Sequence, residues 1–329
     1  MTVSETPATK AAIAGEGSTP GSRAELTVIV VTWNSRDLTL RCLETLFEST
    51  PNLDMRVIVA DNGSEDGSAD AIAERFPQVD LIRNPGDFGF ARANNEAIKR
   101  VDSEWLLLLN PDTEVHPNAI NNLLAFSKQH PEAGVTGGRT VFRDGSLNPA
   151  SAWNKMTAWS LFCYLCGLST LFNGSSVFNP ERIGGWKRDT VRHVDIVQGS
   201  FFMLPTALWR TLGGFDRRYF MYGEEVDMCL RAAALGYRPM ITPDAEIMHL
   251  GGASAPRGVR MLQIWTSKTT LIRGHWPKLL APVGLAELWL ACATRALASA
   301  ALNKLSGREL RNDDWIMLWV KRREWLKGY

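Results

Sequence analysis

The chain has almost no excess of charge of either sign: 36 Lys and Arg stand against 35 Asp and Glu in 329 residues, a net of +1. Without a dominant sign there is no global attraction to nucleic acid or to a strongly acidic partner, so any phosphate site has to be built locally. Cysteine is sparse. Cys42, Cys163, Cys166, Cys229 and Cys292 show no second paired spacing, which argues against a disulfide framework and for a reducing, cytoplasmic setting. The lone C-x-x-C at Cys163 and Cys166 lies in an apolar stretch, where two ordinary buried thiols account for it better than zinc or redox chemistry. The first 24 residues are rich in Ser, Thr, Ala, Gly and Pro and lack the apolar segment of a secretory signal; they read as a disordered tail. Apolar runs of about 18 residues are missing too. Glu287 and Arg295 break the best C-terminal stretch, which argues against a membrane span.

What is present is ordinary globular composition, 45% hydrophobic and 22% charged, enough for a sizeable core in one large domain with an appendage. Leu26 to Thr32 is a β-branched run of the kind a strand buried on both faces shows, followed by Trp33-Asn34-Ser35 and a helical pattern from Asp37 to Phe47. Met55 to Ala60 repeats the unit and ends in Asp61-Asn62-Gly63-Ser64 before a helix through Phe76. Val79 to Arg83 and Trp105 to Leu109 supply two further strands. This alternation predicts an α/β fold: an open, mostly parallel sheet flanked by helices, with ligands at the carboxyl ends of the strands. No G-x-G-x-x-G follows the first strand, so a nicotinamide-dependent dehydrogenase fits poorly. From Lys155 to Glu181 there is no charge between the ends, which suits a buried or surface-seeking helix followed by a loop. Beyond about Ala255 the pattern turns helical over Met261 to Arg273, Val283 to Leu302 and Asp314 to Leu326. The expected organisation is a main domain over 25–255 and a helical region over 256–329.

Four places carry candidate chemistry. Asp61 ends a strand in A-D-N-G-S-E-D-G-S, where it either accepts hydrogen bonds from a base or ribose or forms an Asx turn before the next helix. Asp112 follows a wholly apolar strand in L-N-P-D-T-E, a position for a hard cation such as Mg2+ or Mn2+ against a diphosphate, or for a simple turn. Tyr222-Gly223-Glu224-Glu225-Val226-Asp227 crowds three acids before a helical stretch from Met228 to Leu235. Helix-dipole pairing accounts for one or two of them; crowded carboxylates also raise one another's pKa and make a general base. His249, in I-M-H-L-G-G, is either a structural histidine or a metal or diphosphate contact.

Taken together these segments resemble family 2 glycosyltransferases of the GT-A fold, rhamnosyltransferase-like branch, from about Glu25 to His275. The matching pieces are V-I-V-V-T-W-N-S, V-A-D-N-G-S-E-D-G-S, G-D-F-G-F-A-R-A-N-N, L-L-L-L-N-P-D-T-E, V-Q-G-S-F-F-M-L-P, G-G-F-D-R-R-Y-F-M-Y-G-E-E-V-D-M-C-L-R and I-M-H-L-G-G, in that order. The resemblance implies that Thr32, Asn34, Asp61 and Gly63 belong to a nucleotide pocket and that Arg92 and Asn95 lie along the donor. It implies that Asp112 is the last acid of the metal-binding D-x-D motif, whose first acid is here Asn110, and that His249 completes the metal or diphosphate site. Glu225 stands where the family's Glu-Asp motif carries its catalytic Asp, which ranks it before Asp227 and Glu224 as the base. Gly199 and Ser200 match a segment beneath donor and acceptor, the alternative being a tight strand bend. Trp186 offers apolar surface to a sugar or lipid-linked acceptor, or is ordinary packing.

The implied reaction is inverting and metal-assisted: a sugar, L-rhamnose from dTDP-rhamnose in the leading version, passes from a nucleotide diphosphate to a hydroxyl of a glycan or polyprenyl-diphosphate-linked glycan. A different donor such as UDP-galactofuranose, or a non-catalytic sugar-nucleotide or glycan binder, are the competing readings. A sugar-nucleotide pyrophosphorylase is disfavoured, because T-W-N-S replaces a glycine-rich basic loop after the first strand. In the last region Trp276, Trp289, Trp315, Trp319 and Trp325 are interleaved with Lys and Arg. That composition suits peripheral contact with the inner face of a membrane, or a packing or homodimerisation element.

Overall fold

The computed structural model describes residues 24–251, 256–306 and 314–329; the tail expected over 1–24 lies outside them apart from Ala24. In chain order the strands are β1 (Leu26–Thr32), β2 (Met55–Asp61), β3 (Asp80–Arg83), β4 (Trp105–Leu109), β5 (Thr113–Val115), β6 (Thr136–Val141), β7 (Ala152–Trp153), β8 (Arg192–His193), β9 (Ile196–Val197), β10 (Phe201–Pro205) and β11 (Met240–His249). The α-helices are α1 (Arg36–Ser49), α2 (Ser68–Arg75), α3 (Gly89–Ala97), α4 (Ala119–Gln129), α5 (Ala158–Leu165), α6 (Leu168–Leu171), α7 (Thr206–Leu212), α8 (Glu224–Ala234), α9 (Arg257–His275), α10 (Ala281–Ser306), α11 (Asp314–Val320) and α12 (Arg322–Trp325).

The main sheet runs β3-β2-β1-β4-β10-β6-β11-β5, with β8 on β11. Its first four strands are parallel, as the alternating pattern predicts. Beyond them β10 runs antiparallel to both β4 and β6, and β11 is parallel to β6 but antiparallel to β5 and β8. The parallel half is therefore joined to a mixed half.

Strict alternation divides β1, β2 and β4 between two cores. Ile29, Val31, Ile58, Ala60, Leu106 and Leu108 face one side, with α3 and α8. Val28, Val30, Val57, Val59, Leu107 and Leu109 face the other, with α1 and α4. Burial on both faces is what makes these strands read as unbroken apolar runs.

A third core joins Leu161 of α5 to Trp265 and Ile272 of α9, Leu288, Ala291 and Cys292 of α10, Leu318 of α11 and Trp325 of α12. The uncharged stretch after Lys155 thus supplies part of the C-terminal helical core, and the long last helix expected over Asp314 to Leu326 is broken into α11 and α12. Two expectations need correction. Cys166 is exposed while Cys163 is buried, because the short α5 turns its end to solvent. The segment Ala281–Leu305 is long and apolar enough to cross a membrane by length and composition, with 22% of its most apolar window buried. Glu287 and Arg295 do not prevent this, since two charges spread along so long a helix leave its mean character apolar.

Trp325 anchors this third core: it is fully buried, meets Trp265 edge-on with centroids 5.2 Å apart, and donates its indole N–H to Leu318 O at 3.0 Å. Trp325→Ala is expected to cost about 3–5 kcal/mol in chemical denaturation. Leu297, exposed on α10, is expected to cost less than about 0.5 kcal/mol when changed to Ala.

Candidate active site

Sheet register assembles the cleft. Thr32 and Asp61 are direct partners at the carboxyl ends of β1 and β2, so the turns that follow lie side by side. Asn34, at φ 45°, ties them together: its N–H donates to Ser64 Oγ at 2.9 Å and its Oδ1 accepts the Glu65 N–H at 2.8 Å. At Gly63, φ is 72° and a β-carbon would stand 2.8 Å from Gly86 Cα, so only glycine lets the two loops meet. Asp61 is buried; one oxygen accepts the Ser64 N–H at 3.1 Å and the other has no partner. The Asx-type turn is therefore formed with a carboxylate oxygen to spare, and a buried acceptor of this kind fits a donor from a base or ribose. Thr32, also buried, bonds Thr39 Oγ1 at 2.7 Å and lines the cleft beside Asn62.

The second wall comes from the central strands. β4 and β10 stay joined beyond their ends, with the Asn110 N–H donating to Ser200 O at 3.1 Å. Asp112 follows two residues later. His249, the last residue of β11, is paired with Thr113, and its Nε2 lies 3.2 Å from Asp112 Oδ1. The other Asp112 oxygen accepts the Gly251 N–H at 3.2 Å. Burial pushes the Asp112 carboxyl up, but the hydrogen bond and charge of His249, with backbone N–H groups, outweigh it and hold the group below the usual carboxylate range. His249 Nδ1, Ser200 Oγ and Gln198 Oε1 are buried without partners.

Facing them, Tyr222 and Gly223 take φ 69° and 95° in succession and turn the chain into α8. The three crowded acids lie inside the first turn of this helix rather than before it. Glu224 is buried with Oε2 unpartnered. Glu225 is half-buried, lines the cleft, and accepts the Gly223 N–H on Oε2 at 3.1 Å. Gly199 lies under it: a β-carbon there would stand 3.6 Å from Glu225 Cβ. Burial raises the Glu224 carboxyl well above its ordinary value and the Glu225 charge raises it further; burial also raises Glu225, against backbone N–H groups that lower it.

Other expected residues have different surroundings. Asp227 is enclosed, with its oxygens 2.7 Å from Arg231 Nε and 2.8 Å from His275 Nε2, so its carboxylate is engaged away from the cleft. Asn95 is spent on backbone: its Nδ2 donates to Phe215 O at 2.8 Å and its Oδ1 accepts the Phe215 N–H at 3.0 Å. Arg92 is exposed and stacks over Phe88 at 3.8 Å. Trp186 stacks with Arg188 and Arg192, outside the cleft lining. Conversely, Trp33, Gln198, Tyr222 and Arg260 line the cleft and were not singled out. Gln198 lies inside the V-Q-G-S-F-F segment; Arg260 had no local signal, being in the first turns of a helix expected only from Met261.

A carboxyl whose folded pKa lies above its unfolded value costs stability progressively as pH rises above about 4.3. Glu224→Gln is therefore expected to raise stability at pH 7 by on the order of 1 kcal/mol, with the gain vanishing near pH 4. Denaturant titrations at the two pH values check both the sign and the window.

Residues 27–184 match the family model described as glycosyl transferase family 2. The chain is 28% identical over 236 residues to an N-acetylglucosaminyl-diphospho-decaprenol L-rhamnosyltransferase of Mycobacterium tuberculosis, covering 68% of this chain and 75% of the relative. It is 27% identical over 234 residues to the rhamnosyltransferase WbbL of Escherichia coli, covering 68% and 82%. Among solved structures, the mannosyltransferase PcManGT of Pyrobaculum calidifontis, in complex with GDP-Man and Mn2+, superposes with a TM-score of 0.55 at 19% identity, covering 93% of this chain and 86% of that one. Residues 27–184, which supply one wall of the strand-end cleft, thus match a glycosyl transferase family 2 domain, and the chain shares the GT-A fold of that solved structure.

Proposed function

We propose that the chain moves L-rhamnose from dTDP-rhamnose to a hydroxyl of a glycan or polyprenyl-diphosphate-linked glycan, with inversion at the sugar carbon. The observation that carries transfer rather than mere binding is the opposition across one cleft of Asp112 with His249 on strand ends and the crowded Glu224 and Glu225 on α8. The rhamnosyl group is supported by the names of both rhamnosyltransferases, and the lipid-linked acceptor by that of the Mycobacterium tuberculosis relative alone.

Each wall has a separate task. The unpartnered oxygen of Asp61 takes a donor from the nucleoside, and Thr32 and Asn34 shape the turns around it. Among the described residues no three His, Cys, Asp or Glu side chains converge on a metal cage. Asp112 and His249 do fit a cation that completes its shell with phosphate oxygens, the usual habit of Mg2+ and also open to Mn2+. Such a cation would neutralise the diphosphate leaving group. Arg260, the one Lys or Arg among the described residues lining the cleft, adds positive charge to it. Glu225 spends Oε2 on the Gly223 N–H, which leaves its other oxygen to take the acceptor proton as the hydroxyl attacks. Attack opposite to the departing diphosphate inverts the centre.

The C-terminal region suits peripheral contact with an anionic membrane. Residues 256–329 contain thirteen Lys and Arg against five Asp and Glu, and Leu279, Leu290, Leu297 and Leu305 are exposed on and beside α10.

Glu225→Gln is expected to lose at least about a hundredfold in kcat, the scale of a lost general base, whereas Glu225→Asp keeps measurable turnover; an active Gln variant removes Glu225 from this role. Because burial raises the Glu225 carboxyl, the acid limb of kcat/KM is expected above the ordinary glutamate value of about 4.3, with the rate falling as pH drops through it. A limb at or below that value contradicts the assignment. Thermal-shift screening of sugar nucleotides with Mg2+ or Mn2+ tests the donor: stabilisation by dTDP-rhamnose above UDP-sugars is expected, and no response to any nucleotide overturns the reading.

A further inference from the structure

The loop that delivers Glu224 and Glu225 is held from behind by the far end of the chain. Met221-Tyr222-Gly223 contains two successive left-handed residues, one of them a tyrosine at φ 69°. A bulky residue in that region is strained and persists only when its surroundings impose it. Those surroundings are α9 and the segment after α12. Gly223 presses on α9 so closely that a β-carbon would stand 1.8 Å from Ser267 Oγ. Tyr329 donates its hydroxyl to Met221 O at 3.0 Å, and its ring meets Tyr219 edge-on with centroids 5.7 Å apart. Tyr329 is itself fixed: its N–H donates to Thr270 Oγ1 at 2.8 Å. Arg273 donates to Leu326 O at 2.8 Å and to Lys327 O at 2.6 Å. Gly328, at φ 76°, lets the chain pass Thr270, where a β-carbon would stand 2.8 Å from its Oγ1.

We propose that Tyr329 is a positioning residue for the reacting carboxylates: by bonding Met221 O and packing on Tyr219 it keeps the strained Tyr222-Gly223 turn in place, and with it Glu225. This rests on Glu225 being the base. Tyr329 does not line the cleft, and the nucleotide turns at Asn34 and Asp61 are built by other strands. Its effect therefore falls on the rate of transfer and not on donor binding. The C-terminal helices thereby become part of the catalytic apparatus as well as a packing layer.

The test uses the full chain with Tyr329→Ala and Tyr329→Phe. Tyr329→Ala frees a backbone carbonyl and removes the ring, so kcat is expected to fall by about tenfold or more. Tyr329→Phe keeps the ring and is expected to recover most of this, to within about threefold of wild type. In both, donor KM and calorimetric affinity for the nucleoside diphosphate stay within about twofold of wild type. Amide hydrogen exchange, read without any substrate, is expected to quicken in Tyr219–Asp227 of the Ala variant by about tenfold, with Asp61–Ser64 unchanged. Unchanged exchange in Tyr219–Asp227 overturns the proposal, as does loss of nucleotide affinity in step with kcat. Wild-type protein that turns over no sugar nucleotide defeats the transferase reading instead, while the exchange experiment still decides the positioning role.

Discussion

The antiparallel insertion of β10 between β4 and β6 is the constraint on which the cleft depends. A sheet of parallel strands alone presents one row of carboxyl ends, which is enough for a nucleotide but leaves no opposing wall. Because β10 enters in the reverse sense, the turn before it, Gln198-Gly199-Ser200, arrives where β4 leaves for Asn110 and Asp112, and one backbone hydrogen bond fastens the two. The chain after β10 then returns through Tyr219 to place α8 over Gly199.

That geometry separates two electrostatic environments within a single cleft. On the strand side Asp112 is held ionised by His249 and backbone N–H groups despite its burial. On the helix side burial dominates, and Glu224 and Glu225 are pushed toward the neutral form. One carboxylate is thus suited to positive charge and the other pair to exchanging a proton, a division of labour between like groups set by environment alone. The price is backbone strain at Tyr222 and, along the cleft lining, buried polar atoms of Gln198, Ser200, Glu224 and His249 that have no partner.

Much of this was legible in the sequence. Unbroken apolar runs gave β1, β2 and β4 because both faces of these strands are buried, and Asp61, Asp112 and His249 lie at strand ends as their spacing indicated. Less visible were partners supplied from far along the chain. Nothing local marks Asp227 as enclosed by His275, forty-eight residues away, or Asn95 as the clamp on Phe215. Those side chains look like ligand groups until the tertiary contacts use them. The union of α5 with the C-terminal helices was hidden for a similar reason: an uncharged stretch states that it will be covered but not by what. The apolar length of α10 is masked in the sequence by Glu287 and Arg295, isolated charges in a helix that stays apolar as a whole.

In the proposed mechanism a donor diphosphate and its cation bind against Asp112 and His249 while Glu225 faces the acceptor from the opposite wall. A crystal structure with dTDP and Mn2+ tests it most directly, because the anomalous signal of manganese locates the ion independently of the nucleotide. An ion is expected between the Asp112 carboxylate and the diphosphate, with the base near Asp61 and Glu225 free of metal. An ion seated on Glu224 and Glu225, or a nucleotide bound away from the Asp61 turn, would contradict it.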